Sequence, residues 1–241
     1  MQNALLKSLV DLVYPKVCLS CKDKIDEKTK REFICSQCYN AILKNVPPFC
    51  HSCGRHLEKT NISKSICPTY LKNRFHFDRA YSPCRYTGAV KELIREFKYN
   101  GKEYLGDFLS QFLIDFIKEY SLPIEYIDLI IPMPLHQARL REREFNQAEV
   151  LSKYIGTEFN AKVATDILLR RRHTASQTDL EHNERLLNVK GSFKVGKENY
   201  LKNKNCLLVD DVLTTGATSS EAAFCLKEAG ANVVFVLTIA N

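Results

Sequence analysis

Two adjacent aspartates, Asp210 and Asp211, stand directly before a short loop of small hydroxyl residues, Thr214 to Thr218. Such a loop at the start of a helix offers consecutive backbone N–H groups and three threonine hydroxyls, which suit a phosphate monoester. The two carboxylates would repel a phosphate, and they suit a vicinal diol and a divalent cation instead. The pattern therefore predicts a ligand that carries both a ribose and a phosphate.

The elements around this stretch indicate a parallel sheet. An apolar run, Leu207 to Val209, predicts a buried strand that ends in the aspartates. Alanines and leucines recur at helical spacing from Ala222 to Ala229, Gly230 is placed to stop that helix, and Asn232 to Ala240 predicts a second strand. Ligands of such units bind at the carboxyl ends of the strands. The expected fold class is α/β, with a parallel sheet flanked by helices.

A second charged segment follows another predicted strand, residues 127–131. His136, Arg139, Arg141 and Arg143 come next, in what we expect to be a loop before a helix. Arginines that face a phosphate loop suit a pyrophosphate and its magnesium ion. These arginines are therefore expected to form the second half of the site.

A third polar segment runs from Arg170 through Arg172 to Asn188. It is typical of a lid that closes over a charged ligand, and a basic connection without a ligand is the alternative. Earlier in the chain, residues 75–81 predict a strand, and residues 90–99 and 103–120 predict helices with one apolar face each.

Cysteine pairs dominate the N-terminal third. Three C-x-x-C pairs lie within residues 18–53, and Cys67 begins what resembles a fourth. In a chain with no export signal, this density favours metal over disulfides. Two pairs present four thiolates to one Zn²⁺ ion, so Cys18, Cys21, Cys35 and Cys38 predict a structural zinc site.

A second zinc site at Cys50, Cys53 and Cys67 lacks its last cysteine, because Tyr70 stands there. His51, His56 or His76 is a candidate for the fourth ligand, and a ribbon held by packing alone is the other interpretation. We expect two domains, a cysteine-rich one at 1–75 and an α/β one at 76–241.

The net charge of +7 is confined to the N-terminal domain, where 13 Lys and Arg face 6 Asp and Glu. Such a patch suits a polyanion or an anionic membrane surface, and a solvated surface is the alternative. Residues 3–14 predict an amphipathic helix that docks on its own domain or makes a peripheral membrane contact. No run of 18 apolar residues occurs, so a cytoplasmic protein is expected, with the inner face of the membrane as its other location.

The stretch 207–219 resembles the binding motif for 5-phosphoribosyl 1-pyrophosphate (PRPP) of type I phosphoribosyltransferases. The whole order of motifs is similar to the ComF family: cysteine pairs, then Phe97-Lys98-Tyr99-x-Gly101, Arg143-x-Phe145-Asn146-Gln147, Arg172-x-Thr174 and the PRPP motif. One departure is Glu144, which stands where the family usually has glycine. The resemblance implies a type I phosphoribosyltransferase-like domain behind a zinc-ribbon domain.

The resemblance also implies roles and partners. Asp210, Asp211 and Arg143 would be catalytic, and zinc would be structural while magnesium accompanies PRPP. Implied partners are PRPP, single-stranded DNA and a helicase-like protein of DNA import. The residues expected to bind PRPP are Asp210, Asp211, Leu213, Thr214, Thr215, Gly216, Ala217, Thr218, Arg139 and Arg172.

Two functions of different class follow from these expectations. One is a protein of natural transformation that binds PRPP and magnesium and handles incoming single-stranded DNA in the cytoplasm. The other is an active phosphoribosyltransferase that displaces pyrophosphate from PRPP toward an unknown acceptor.

Overall fold

The structure is a computed structural model, and it describes residues 16–26, 31–57, 65–68, 75–99, 101–172, 189–196 and 200–241. The predicted helix at 3–14, Tyr70 and the predicted lid beyond Arg172 lie outside the described residues. In chain order the elements are α1 (Ser36–Asn40), β1 (Arg79–Tyr81), α2 (Gly88–Tyr99), α3 (Leu105–Glu119), a 3₁₀ turn (Ile124–Tyr126), β2 (Leu129–Pro132), α4 (Gln137–Arg143), α5 (Gln147–Glu158), β3 (Leu168–Arg170), β4 (Phe193–Val195), β5 (Asn205–Val212), α6 (Ala217–Glu228) and β6 (Val233–Ala240).

Four parallel strands form the central sheet, in the order β1-β6-β5-β2. Leu208 of β5 pairs with Val236 of β6 on one side and with Ile131 of β2 on the other. β3 and β4 form a separate antiparallel pair. Since all four central strands run the same way, their carboxyl ends meet at one edge of the sheet, and the acidic pair of β5 lies there.

Side chains along β5 alternate between two apolar layers, as the period of a strand requires. Leu207 and Val209 lie in the cluster that includes α2, α3 and α5. Cys206 and Leu208 lie in the opposite cluster, with α6 and β4. Covering on both faces is typical of parallel sheets. The predicted fold class, a parallel sheet flanked by helices, is confirmed.

Helix α3 packs against both the cysteine-rich segment and this core. Its spacing buries Leu109, Leu113 and Phe116 in the apolar layer. Aromatic residues of the N-terminal segment pack on the same helix, with Phe49 centred 5.8 Å from Phe116. The domain division between residues 75 and 76 stays a prediction.

The arginine-rich segment was expected to be a loop, and this expectation was wrong. Residues 137–143 form helix α4. His136 caps its start, where the His136 Nδ1 accepts a hydrogen bond from the Ala138 N–H at 3.3 Å. Glu144 ends the helix in the left-handed region, with φ of 68°. A glycine adopts this conformation without steric cost, whereas a glutamate in it is strained.

No helix in the described parts of the chain is both long and apolar enough to cross a membrane.

Candidate functional site

The acidic pair and the hydroxyl loop lie in one cleft of about 590 Å³ at the carboxyl edge of the sheet. β5 ends at Val212, and residues 213–216 lead directly into α6. The loop is fixed at its start by the Leu213 N–H, which donates to the Ala240 carbonyl of β6 at 2.9 Å. At its end, Gly216 has φ of 80° and its carbonyl accepts from the Ser220 N–H at 2.8 Å. The first N–H groups of a twelve-residue helix therefore open onto the cleft, which is the arrangement that binds phosphate.

The two aspartates occupy different environments at this edge. Asp211 is buried and its Oδ2 lies 2.9 Å from the Nζ of Lys98 on α2. Asp210 is half-buried and accepts a hydrogen bond from the Asp211 N–H at 2.8 Å. Burial raises the pKa of Asp210 to about 7, and the neighbouring Asp211 carboxylate adds to the rise. Near neutral pH, Asp210 is thus able to hold or release a proton.

Lys98 offsets part of the charge of this pair. Burial alone would lower its pKa, but the charge and hydrogen bond of Asp211 raise the pKa above its ordinary value. Lys98 therefore stays protonated and orients Asp211.

Three arginines bring positive charge to the cleft: Arg139 and Arg143 from α4, and Arg170 from β3. Arg143 is only 6% exposed, and its Nη1 donates to the Oε1 of Gln147 at 3.1 Å. Its Nε is buried and has no hydrogen-bond partner in the described part of the chain. Burial lowers the pKa of Arg170, against the attraction of Asp210. A buried cationic donor without a protein partner, such as the Arg143 Nε, favours an anionic ligand.

Helix α2 lines the cleft with side chains one turn apart. Lys91, Arg95 and Lys98 lie at spacings of four and three residues, so they share one face. Arg95 pairs with Glu92 at 3.2 Å. Tyr99, next to Lys98, is 51% exposed, and the Arg143 guanidinium lies 5.2 Å from its ring centre.

The structure brings nearly all of the predicted ligand-binding residues together. Asp210, Asp211, residues 213–218, Arg139 and Arg143 all line the cleft. Arg172 is exposed and does not line it, whereas Arg170, two residues earlier, does. Sequence reasoning gave no site role to Lys91, Arg95, Lys98, Tyr99 and Tyr86, and it placed Arg170 at the start of the predicted lid. Two signals were available: the helical spacing of the three cations on α2, and the motif at residues 97–101 that contains Lys98 and Tyr99.

The first cysteine cluster fits a zinc ion. The Sγ atoms of Cys18, Cys21, Cys35 and Cys38 all lie within 4.8 Å of one another, and those of Cys21 and Cys35 are 3.9 Å apart. Tetrahedral zinc with Zn–S bonds of about 2.3 Å places its sulfurs about 3.8 Å apart. The Cys38 N–H donates to the Cys35 sulfur at 3.4 Å, which orients that ligand. The cluster supports the predicted structural zinc.

The second cluster, Cys50, Cys53 and Cys67, is buried and supplies three thiolates. The Cys53 and Cys67 sulfurs are 3.2 Å apart, and the Cys67 N–H donates to the Cys50 sulfur at 3.4 Å. These three side chains converge closely enough to supply three thiolate ligands to one zinc ion. No fourth histidine, cysteine or acidic side chain among the described residues joins the cluster.

The histidines considered as a fourth ligand are placed elsewhere. The His56 Nδ1 hydrogen-bonds with the Val46 carbonyl at 2.7 Å, and the His76 Nδ1 hydrogen-bonds with the Ser220 hydroxyl at 3.0 Å. His51 is exposed and lies outside the cluster.

Comparison with known proteins agrees with the cysteine clusters. Residues 9–70 match the family model described as a double zinc ribbon domain. Parts of the chain are also similar to solved structures. A glutamine PRPP amidotransferase from Bacillus subtilis matches 59% of this chain and 30% of its own, with a TM-score of 0.36 and 18% identity. A purine phosphoribosyltransferase from Pyrococcus horikoshii matches 55% of this chain and 71% of its own, with a TM-score of 0.33 and 20% identity.

Curated relatives align along nearly the whole chain. Competence protein F of Haemophilus influenzae is 26% identical over 93% of this chain and 96% of its own. The DNA utilization protein YhgH of Escherichia coli is 27% identical over 84% of this chain and 88% of its own. Competence protein ComFC of Bacillus subtilis is 32% identical over 90% of this chain and 91% of its own. With 32% identity to ComFC over about nine tenths of both chains, the protein belongs to the ComF family.

Proposed function

We propose that this protein binds PRPP with magnesium in the cleft at the carboxyl edge of the sheet, and that it handles incoming single-stranded DNA in natural transformation. One observation carries the PRPP part. Four separate segments of the chain line the same cleft: α2, α4 with the residues before it, β3, and the continuous stretch that holds the acidic pair and the hydroxyl loop. Each has the chemistry that one part of PRPP requires.

In this arrangement each part of PRPP has a place. The N–H groups and hydroxyls of residues 214–218 hold the 5′-phosphate. Asp210 and Asp211 accept hydrogen bonds from the ribose hydroxyls. Arg139 and Arg143 lie on the pyrophosphate side, where the buried Nε of Arg143 gains an acceptor.

The positive charge of the cleft also suits a ligand that carries several phosphates. Six basic side chains and two carboxylates line the cleft. Such an excess of positive charge in a concave site raises the local concentration of anions. A neutral nucleoside would leave most of this charge without a counter-ion.

Magnesium fits the acidic end of the cleft, because carboxylate oxygens are ligands that it prefers and it is commonly shared with substrate phosphates. When bound, it neutralises pyrophosphate charge. Of the two aspartates, Asp210 is the better candidate to coordinate magnesium, since Lys98 already pairs with Asp211.

The proposed DNA role draws on three observations. Relatives are named for competence and for DNA utilization. The excess positive charge lies in the N-terminal third. Lys91 and Arg95 of α2 add positive charge to the lining of the cleft, beside Lys98, which pairs with Asp211. We propose the cytoplasm as the site of action, where imported strands arrive from a helicase-like partner, with a peripheral membrane contact at its inner face.

Aromatic side chains near this face divide into two groups. Tyr99 is half-exposed beside the cations and is suited to stack a base. Phe49 and Phe75 are partly buried and pack against Phe116 and Phe77, so they serve the packing of the protein.

Calorimetric titration of PRPP with magnesium tests the first part. The wild-type protein should bind, and Asp210→Ala/Asp211→Ala should not. A matched control, Asp107→Ala/Asp115→Ala, removes the same charge from exposed positions of α3 and should bind as the wild type does. Equal binding by the Asp210/Asp211 variant would refute the site.

Anisotropy of a labelled single strand over a range of salt concentrations tests the second part. Each lost phosphate contact lowers the salt slope by about 0.7. Lys91→Ala/Arg95→Ala should therefore lower it by about 1.4, while Lys153→Ala/Lys162→Ala, outside the cleft, should leave it unchanged. An unchanged slope in the α2 variant would remove α2 from the DNA site.

A phosphoribosyltransferase is the second candidate, and the environment of Asp210 favours it. A carboxyl whose pKa is raised to about 7 beside the expected ribose is characteristic of catalytic sites. In such a reaction the bond from C1′ to pyrophosphate breaks, a new bond from C1′ to the acceptor forms, and Arg139 and Arg143 stabilise the leaving pyrophosphate. The acceptor's proton passes to a base, for which Asp210 is placed at the sugar. Release of pyrophosphate that depends on one added acceptor would establish this activity.

A further inference from the structure

An arginine beside the second cysteine cluster contacts the phosphate loop directly. Arg55 follows Cys53 by two residues, and its Nη2 donates to the Thr214 carbonyl at 2.7 Å. These residues are 159 positions apart in the chain. The contact therefore depends on how the cysteine-rich segment packs on the sheet.

Two more contacts reach the same loop from the segment that follows the cluster. The Phe75 ring lies so close to Gly216 that a Cβ there would meet the ring at 2.6 Å. The His76 N–H and Nδ1 both contact the Ser220 hydroxyl at 3.0 Å. Residues of the cysteine-rich segment and of the segment after it thus contact the loop and the first turn of α6 at Thr214, Gly216 and Ser220.

The turn that carries Arg55 is itself held rigidly. The Cys50 carbonyl accepts from the Gly54 N–H at 3.1 Å, and the Cys50 N–H donates to the Arg55 carbonyl at 2.7 Å. Gly54 has φ of 67° and approaches β1 so closely that a Cβ would lie 2.3 Å from the Ala80 carbonyl oxygen. The Ala80 N–H donates to the Ser52 carbonyl at 2.7 Å. The backbone hydrogen bonds and the close approach to β1 together fix the position from which Arg55 extends.

The contact at Thr214 bears on phosphate binding because a trans peptide group is planar, with its C=O and N–H pointing in opposite directions. A hydrogen bond from Arg55 to the Thr214 carbonyl directs the Thr215 N–H away from Arg55. Thr214 and Thr215 line the cleft, and Arg55 does not. The bond thus orients the Thr215 N–H before any ligand arrives.

We propose that Arg55 is a positioning residue of the phosphate loop, and that the cluster Cys50, Cys53 and Cys67, with the metal it binds, holds Arg55 in place. Metal binding at this cluster and phosphate binding at the loop then strengthen each other, since coupling between two binding sites is reciprocal. The ligand class is a phosphate monoester, and its identity as PRPP rests on the proposed function.

Hydrogen exchange of the ligand-free protein tests the positioning role without PRPP. Arg55→Met should speed exchange of the amides in residues 213–220 by at least about tenfold, because one charge-assisted hydrogen bond is lost. Arg31→Met is the matched control, since Arg31 lies over the Tyr39 ring beside the other cysteine cluster. It should leave that exchange unchanged. Equal exchange in both variants overturns the proposal.

Titration with PRPP and magnesium gives the second readout. Arg55→Met should weaken binding by about tenfold relative to the wild type and Arg31→Met. Wild-type protein that binds no PRPP would refute the proposed function, while faster exchange in Arg55→Met would still support the positioning role. Binding equal to wild type, with unchanged exchange, refutes the positioning role alone.

A wild-type experiment keeps the coupling testable if Arg55→Met fails to fold. The zinc-loaded protein is treated with a chelator and iodoacetamide, and alkylation of Cys53 and Cys67 is followed by mass spectrometry, with buried Cys206 as the reference. PRPP with magnesium should slow alkylation of the two ligands but not alter that of Cys21 in the other cluster. Equal rates with and without PRPP, in protein that binds PRPP by calorimetric titration, would overturn the coupling.

Discussion

Replacing Asp210 by asparagine should make the protein more stable at alkaline pH and change the pH dependence of its stability. The pKa of Asp210 is raised by burial to about 7, from an ordinary value of 3.8. The folded chain therefore keeps a proton that the unfolded chain loses between these two values. The free energy of unfolding falls as pH rises through this window, and the contribution is fully present only below the ordinary value. Asparagine does not titrate, so the variant lacks this loss.

The magnitude follows from the same two values. Between pH 5.5 and pH 8 the wild type should lose about 2 kcal/mol of unfolding free energy relative to Asp210→Asn. Asparagine keeps an oxygen for the hydrogen bond that the Asp211 N–H now makes to Asp210 at 2.8 Å. The substitution therefore removes the charge with little change in shape.

Urea denaturation at the two pH values, followed by circular dichroism and without PRPP or magnesium, measures the effect. Asp115→Asn, an exposed position on α3, is the control and should shift stability by the same amount at both pH values. A difference between wild type and Asp210→Asn that is identical at pH 5.5 and pH 8 would refute the assignment of a raised pKa to this group.

The other predictions concern separate parts of the molecule. Glu144→Gly should stabilise the protein by about 0.5–1 kcal/mol in urea denaturation, since it removes a strained left-handed conformation, and a lower stability would contradict this. Lys98→Met should destabilise it by about 1–3 kcal/mol because Asp211 loses its ion pair, and Lys98→Met/Asp211→Asn should recover part of that loss. Additive effects in this double-mutant cycle would rule out the coupling. Cys35→Ser should lower the bound zinc by about one ion per chain in elemental analysis and lower the melting temperature, and unchanged zinc would exclude the first site.

Local patterns predicted the sheet edge and the loop. The apolar run of β5, the two aspartates and the threonines are contiguous, so their placement needs only the rule that ligands bind at the carboxyl ends of parallel strands. The first cysteine cluster was predictable for a similar reason. Two C-x-x-C pairs carry the ligand spacing of zinc within a short segment, and the four sulfurs do come together.

Residues brought in by long-range packing were missed. Lys98 lies on a helix more than a hundred residues before Asp211, and a lysine on an amphipathic helix usually faces solvent. Arg55 likewise gave no signal, because its partner is a backbone carbonyl 159 residues away. The arginine segment was predicted as a loop because a run of charged residues lacks the apolar spacing that indicates a helix. The structure shows a helix there, which His136 caps and Glu144 ends.

The central claim is that PRPP occupies the cleft at the carboxyl edge of the sheet, and phosphorus NMR of PRPP with the protein and magnesium tests it most directly. Wild-type protein should broaden or shift the 5′-phosphate and pyrophosphate resonances, and Asp210→Ala/Asp211→Ala should leave them as in buffer. Single-stranded DNA and then nucleobases are added in turn, so that new pyrophosphate would identify an acceptor and establish the transferase. Resonances that stay unchanged with the folded, zinc-loaded wild type would contradict the account.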